Sequence, residues 1–216
     1  MTRVLITGGA TCEDIDSVRF ITNRSTGKMG VALAQAARRA GYETRLLLGD
    51  TAVISGRLAS AMQLTRFRST ADLLAKIEAN FDWCDWLIMS AAVADYTPAT
   101  TLPTKRRKAA DDWTLTLKRT TDILRHLAGH PSRAQKLVCG FSLTDELDLA
   151  TGREKLSAKG LDLLVANGAA TLGSATVTAA LLAPARPPQM FANLTKPQLS
   201  RAILARLAEI AGKKGI

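Results

Sequence analysis

The chain has 216 residues, 47% hydrophobic and 22% charged, with only 15 Gly and 7 Pro, which excludes a disordered or collagen-like chain and fits one large domain. Lysine and arginine total 29 against 19 acidic residues, and the resulting net charge of +10 favours polyanionic ligands: nucleic acid, an acidic membrane surface or phosphorylated small molecules. Three cysteines, Cys12, Cys84 and Cys139, form no CxxC pair, which argues against a disulfide framework or a cysteine zinc site and fits a reducing, cytoplasmic setting.

The N-terminus leads straight into a strand-like run, so no signal peptide is expected, and the apolar stretches fall short of the ~20 residues that cross a bilayer. Residues 3–7 are a short apolar run closed by Gly8-Gly9 and read as a buried strand. A Gly/Thr/Asp-rich loop follows to about Ser17. Ser25 and Thr26 are candidate N-caps for a helix over 27–39, which Gly41 ends. Further strands are expected at 43–48, 63–67, 86–89, 136–141 and 161–166, with helical patterns at 70–79 and 148–159. This alternation predicts an α/β domain with a parallel sheet covered on both faces.

The segment 97–119 breaks the rhythm with Pro98, Pro103, the basic run Lys105-Arg106-Arg107-Lys108 and an alternating stretch at 113–117; it reads as a long loop or flap followed by a strand. Late strands are expected at 175–182 and 189–192, before an amphipathic closing helix over 196–211. With no internal repeat or linker, residues 1–216 read as one domain.

Ligands of open parallel sheets sit at the carboxyl ends of strands, so the loops after the first strand, after Met89 and after Phe141 are the places for chemistry. Leu5-Ile6-Thr7-Gly8-Gly9 suggests a dinucleotide site, but the continuation Cys12-Glu13-Asp14-Ile15-Asp16 lacks the further glycines and sets carboxylates where a phosphate would lie. Tyr42 and Tyr96 are followed four residues on by Leu46 and Thr100, so no Tyr-xxx-Lys pair accompanies it.

Residues 19–30 gather Asn23, Arg24, Ser25, Gly27, Lys28 and Gly30 where a helix begins, an arrangement suited to an anion. Helix capping and close packing explain the serine and the glycines without a ligand, but not Asn23, a neutral donor and acceptor able to orient a carboxyl or carbonyl group. After Met89 come Ser90, Ala91 and Ala92, small enough for a flat base to approach backbone, and Asp95, which can accept from a base amine or help hold a metal; for this segment alone a packed loop with a capping Asp is the plainer account. The run 105–108 suits a triphosphate, though a solvated basic surface is the plainer account, and without interleaved aromatics it is a poor nucleic-acid signature. Lys155 and Lys159 share one face of a predicted helix near the same rim. His126 and His130 lack the Glu of HExxH, and no GxSxG or GxxxxGK[ST] occurs, which removes the common zinc-protease, hydrolase and P-loop readings.

The combination of Ile6-Thr7-Gly8-Gly9-Ala10-Thr11, Asn23-Arg24-Ser25-Thr26-Gly27-Lys28-Met29-Gly30 and Ala91-Ala92-Val93-Ala94-Asp95-Tyr96, continued by Lys105, Asp122-Ile123-Leu124, Gly140-Phe141 and Lys155 to Asn167, resembles the phosphopantothenoylcysteine synthetase family over nearly the whole chain. The resemblance implies a Rossmann-like, doubly wound fold and a homodimer. It implies a ligase of coenzyme A biosynthesis in which the carboxylate of 4'-phosphopantothenate attacks the α-phosphate of CTP, or of ATP, and the amine of L-cysteine then displaces the nucleoside monophosphate. By position, Lys105 would stabilise charge on the triphosphate and Asn23 would orient the acyl intermediate. Ser90, Ala91, Ala92, Asp95, Thr121, Asp122, Ile123, Leu124 and Phe141 would surround the nucleotide, with Lys155 and Lys159 on its phosphates. Mg²⁺ is implied as the triphosphate's counterion, held mainly by nucleotide and water, and no flavin.

The chain departs from the family pattern at Thr120-Thr121, where Asn-Pro is common, and at Ser142-Leu143-Thr144, where fused bacterial enzymes have Ala-Ala-Glu. Arg107 replaces a usual lysine. The flavin-dependent decarboxylase domain of many bacterial relatives would then be a separate chain or a part absent here. A nicotinamide-dependent oxidoreductase of similar fold and a basic nucleic-acid-binding protein remain as alternatives, and neither accounts for 23–30 together with 91–96.

Overall fold

The computed structural model describes residues 1–108, 111–171 and 174–215. In chain order its elements are β1 (Arg3–Gly8), β2 (Cys12–Asp14), β3 (Phe20–Thr22), α1 (Lys28–Arg39), β4 (Glu43–Gly49), α2 (Gly56–Ser60), β5 (Gln63–Phe67), α3 (Thr70–Phe81), β6 (Trp86–Met89), β7 (Tyr96–Pro98), β8 (Leu117–Arg119), α4 (Ile123–Ala128), β9 (Leu137–Thr144), α5 (Leu149–Ala158), β10 (Leu163–Gly168), β11 (Thr176–Leu182), β12 (Gln189–Thr195) and α6 (Lys196–Lys214). Eight strands form the main sheet in the order β12-β11-β10-β9-β6-β1-β4-β5. From β5 to β10 every pairing is parallel, and in chain order those strands run third, second, first, fourth, fifth, sixth, the Rossmann arrangement. The order reverses between β1 and β6, the switch point of the sheet.

The strands read as continuous apolar runs because both faces are covered. Val4 and Ile6 of β1, with Trp86 and Ile88 of β6, pack under α1 and α6. Leu5, Leu87 and Met89 point the other way, into a core shared with Leu73, Ile77 and Phe81 of α3, Leu127 of α4 and Leu156 of α5. The closing helix α6 buries Leu199, Ile203, Leu207 and Ile210 at helical spacing and starts with a capping box between Thr195 and Gln198.

The expected parallel sheet therefore gains two antiparallel strands, β11 and β12, because a hairpin needs no crossover helix. The expected caps Ser25 and Thr26 are not used: Gly27 occupies the cap position at φ 76°, without a side-chain hydrogen bond. A Cβ there would stand 2.7 Å from that of Ala52, so both conformation and space call for glycine. The strand expected at 113–117 forms instead at Leu117–Arg119, paired with β7. Trp113 is held between the guanidinium groups of Arg19 and Arg106, 5.2 and 4.7 Å from its ring centre. The hairpin β2–β3 and the short helices α2 and α4 are too brief to leave a period in the sequence.

Candidate functional site

A cleft of about 920 Å³ opens at the carboxyl ends of β6 and β9 beside the first turn of α1. That volume lies within the range that encloses small-molecule ligands. One wall is the segment Asn23 to Gly30; the other runs from Met89 to Tyr96, then from Arg119 to Arg125, with Phe141, Leu143 and Lys159 behind.

The wall of α1 sits close to the sheet because two glycines face one another: a Cβ on Gly30 would come within 2.7 Å of the Gly8 Cα, and one on Gly8 within 2.9 Å of the Gly30 Cα. The floor joins the two loops at the switch point. The Ala92 N–H donates to the Gly9 carbonyl at 2.8 Å, and the Thr11 N–H donates to the Ala92 carbonyl at 3.1 Å. The Asn23 amide also donates to the Ala92 carbonyl, at 3.1 Å, which fixes its orientation from a loop 69 residues away. One of its two amide N–H groups is thereby engaged, which leaves the second N–H to donate and the carbonyl oxygen to accept.

Buried threonines hold the remaining floor. Thr7 accepts from the Ala91 N–H at 3.1 Å through its hydroxyl and from the Ser90 hydroxyl at 2.5 Å through its carbonyl. The Thr11 hydroxyl accepts from the Ala94 N–H at 2.9 Å. Asp122 caps α4 by accepting from the Arg125 N–H and pairs with Lys159 at 3.1 Å. Among the described residues no three His, Cys, Asp or Glu side chains gather as a metal cage.

Of the residues singled out from the sequence, Asn23, Arg24, Ser25, Gly27, Lys28, Gly30, Ser90, Ala91, Ala92, Asp95, Thr121, Asp122, Ile123, Leu124, Phe141 and Lys159 all border this cleft. Lys155 does not: its ammonium donates to the Ser142 hydroxyl at 3.0 Å, behind the cleft wall. Lys105 is also outside, because the segment carrying it is tied to the loop that joins β2 to β3. The Arg106 N–H donates to Asp16 at 3.2 Å, the Arg19 guanidinium donates to the Arg106 carbonyl at 3.0 Å, and Leu102 N–H donates to the Ile15 carbonyl. Asp16, 2% exposed, also accepts from the Arg19 guanidinium and from the N–H groups of Val18 and Arg19. The Arg19 guanidinium, with these N–H groups, holds its carboxyl far below the usual carboxylate range.

Arg119, Arg125, Asn167, Thr171 and Lys196 also line the cleft and were not foreseen. Asn167 lies near the carboxyl end of β10, where the same strand-end argument could have found it. Lys196 comes from the far end of the chain, and no local pattern links it to residue 28.

Known proteins supply the comparison. Residues 1–210 match the family model for the DNA/pantothenate metabolism flavoprotein C-terminal domain. The coenzyme A biosynthesis bifunctional protein CoaBC of Bacillus subtilis (strain 168) is 43% identical over 164 residues, covering 76% of this chain and 39% of that protein. The chain thus spans about two fifths of the length of that curated relative. The crystal structure of the C-terminal domain of a CoaBC protein superposes with a TM-score of 0.82 at 29% identity, covering 98% of this chain and 96% of that one. A Cab2 variant solved in complex with phosphopantothenate-cysteine shares the fold, with a TM-score of 0.80 at 18% identity over 100% of this chain and 89% of that one. The match over nearly the full length, together with the shared Rossmann-like sheet, places the chain in the DNA/pantothenate metabolism flavoprotein C-terminal domain family.

Proposed function

We propose that this chain is a phosphopantothenate–cysteine ligase, activating 4'-phosphopantothenate with CTP or ATP and joining it to L-cysteine. The observation that carries the reading is Asn23, pinned by the Ala92 carbonyl inside a cation-lined cleft at the sheet's switch point. Membership of a family that includes the C-terminal parts of CoaBC proteins supports it.

A carboxylate resists an amine until it becomes a mixed anhydride, so such a site needs positioning and positive charge more than an acid–base triad. The substrate carboxylate oxygen attacks the α-phosphorus, pyrophosphate leaves, and an acyl-nucleotide forms. The amine nitrogen of cysteine then attacks the acyl carbon, expelling the nucleoside monophosphate and losing a proton. Asn23 orients the acyl group by donating its second amide N–H to the acyl oxygen, and its carbonyl oxygen can accept from the incoming amine. The backbone around Ser90 to Ala92 takes the flat base or the acyl chain, and Ile123, Leu124 and Phe141 enclose the nucleotide. Arg24, Lys28 and the N–H groups opening α1 attract phosphate oxygens. Mg²⁺ would offset the triphosphate's charge, and with Asp122 paired to Lys159, Asp95 is the carboxylate this cleft offers to such a cation.

Lys105 enters by a different route. The clasp of Asp16, Arg19 and Arg106 keeps its segment off its own cleft. Beside the clasp stand exposed Val18, Phe20, Tyr96 and Leu117, on the neighbouring hairpins β2–β3 and β7–β8. These support a homodimer in which each chain's Lys105 serves its partner's cleft. No helix of the described residues is long and apolar enough to cross a membrane, which agrees with a small-molecule enzyme. A decarboxylase would take the product onward.

The test supplies pure protein with 4'-phosphopantothenate, L-cysteine, Mg²⁺ and either CTP or ATP. Pyrophosphate release that depends on the acid is expected with one nucleotide, and its absence with both would remove the ligase reading.

A further inference from the structure

We infer that Lys196 binds a phosphoryl group of a phosphorylated substrate, acting with Lys28, the first residue of the neighbouring helix at the same cleft. The assignment rests on the ligase reading and adds a residue contributed by the last helix of the chain.

Lys196 is the first residue of α6, and it lines the cleft beside Val177 and Leu199, half-buried. α1 and α6 pack side by side under one face of the sheet, which brings the first residue of α6 near Lys28, the first residue of α1. Burial, and next the Lys28 charge, push the Lys196 ammonium below its usual range. Among the described residues, no carboxylate pairs with either lysine within 4.0 Å. The Lys196 ammonium donates to the Ser174 carbonyl at 2.5 Å, leaving two further N–H groups to give.

The charges of the pair oppose stability where they stand. Neither helix has an acidic residue in its first turn, and a cation at a helix start works against the helix dipole. Two like charges, one partly withdrawn from water, repel each other. A solvated lysine would avoid such a position. A phosphoryl group between the two ammonium groups removes both penalties and accepts the unused hydrogen bonds. Both proposed substrates carry phosphate, the nucleotide as a chain of three and the acid as a monoester, so the chemistry recognised is a phosphate oxyanion.

The experiment compares the parent with Lys196→Gln and Lys196→Arg. Pyrophosphate release gives kcat and KM, and equilibrium titrations with CTP, ATP, 4'-phosphopantothenate and unphosphorylated pantothenate separate the two phosphates. Lys196→Gln should weaken one phosphorylated ligand roughly tenfold or more, and Lys196→Arg should restore most of it. Weakened nucleotide binding assigns the contact to the triphosphate. Weakened 4'-phosphopantothenate binding, with pantothenate unchanged, assigns it to the monoester. Ligand-free Lys196→Gln should melt no lower than the parent, since it relieves the repulsion. If the parent turns over and Lys196→Gln binds every ligand as the parent does, the assignment falls while the ligase reading stands. A parent that releases no pyrophosphate and binds neither phosphorylated substrate overturns both.

Discussion

At the scale of single residues, Asn23 carries a division of labour that a substitution can expose. Asn23→Asp replaces the donor that holds the Ala92 carbonyl with an acceptor, so two oxygens would face each other at a 3.1 Å contact. The expected outcome is retained pyrophosphate release with cysteine-dependent product formation slowed at least about tenfold, read by following both products in one assay. Gly30 tests the wall: a Cβ 2.7 Å from the Gly8 Cα forces α1 away from the sheet. Gly30→Ala should lower stability by about 1–3 kcal/mol, measured by denaturant unfolding, and raise the KM for nucleotide. Asp16 gives a pH prediction. Its carboxyl is depressed in the folded protein, so its contribution is full above the unfolded value near pH 4 and is lost as the pH falls toward the folded one. The clasp should therefore be indifferent to pH between about 6 and 8. Asp16→Asn should release it at neutral pH, seen as faster proteolysis at Lys105 to Lys108.

At the scale of elements, long runs with one clear period were legible and short ones were not. The positions of β1, β4, β5, β6 and α3 follow from their sequence patterns, and the structure adds the N-cap of α3, Ser69, whose hydroxyl accepts from the Asp72 N–H. The hairpin β2–β3 escapes such reading because three-residue strands show no alternation, and because its partners are distant: Asp14 pairs with Arg68 at 2.5 Å and Glu13 accepts from the Thr70 N–H at 2.8 Å. Asn23 to Gly30 was legible because the site is contiguous there. Lys196 was not, since only the packing of distant elements brings it to the same cleft, whereas Asn167, near the carboxyl end of β10, was open to the strand-end argument. The capping box of α6 is a local device with a measurable share: Thr195→Ala should cost about 1 kcal/mol in unfolding experiments while leaving the sheet intact. The flap adds an element-level test of Lys105. Lys105→Gln should block pyrophosphate release, and an inactive Lys105→Gln mixed with an inactive cleft variant such as Asn23→Asp should recover ligation if the residue acts across a dimer.

At the scale of the whole molecule, the +10 charge is concentrated in part around the cleft, in Arg24, Lys28, Arg119, Arg125, Lys159 and Lys196. The exposed Val18 (59%) and Leu117 (42%) mark a different surface, the one proposed to meet a second copy. Replacing Phe20 and Leu117 together with charged residues should convert dimers to monomers in sedimentation experiments and remove activity with them. The three cysteines are free and buried. Burial pushes the Cys84 thiol up to about 12 and the Cys139 thiol higher still, so neither offers a thiolate near neutral pH.

The Ala10–Ala92 bridge extends the parallel ladder beyond the last residues of β1 and β6, across the point where the strand order reverses. Two loops that could have been separate, adjustable fingers are consequently one plate continuous with the hydrophobic core. Binding energy from the substrates then need not be diverted into ordering that floor and is available to organise the reacting groups. Amide hydrogen exchange should register the difference: the Thr11 and Ala92 protons should persist as long as those of the central strands, while exposed amides of the flap exchange early, with or without ligand.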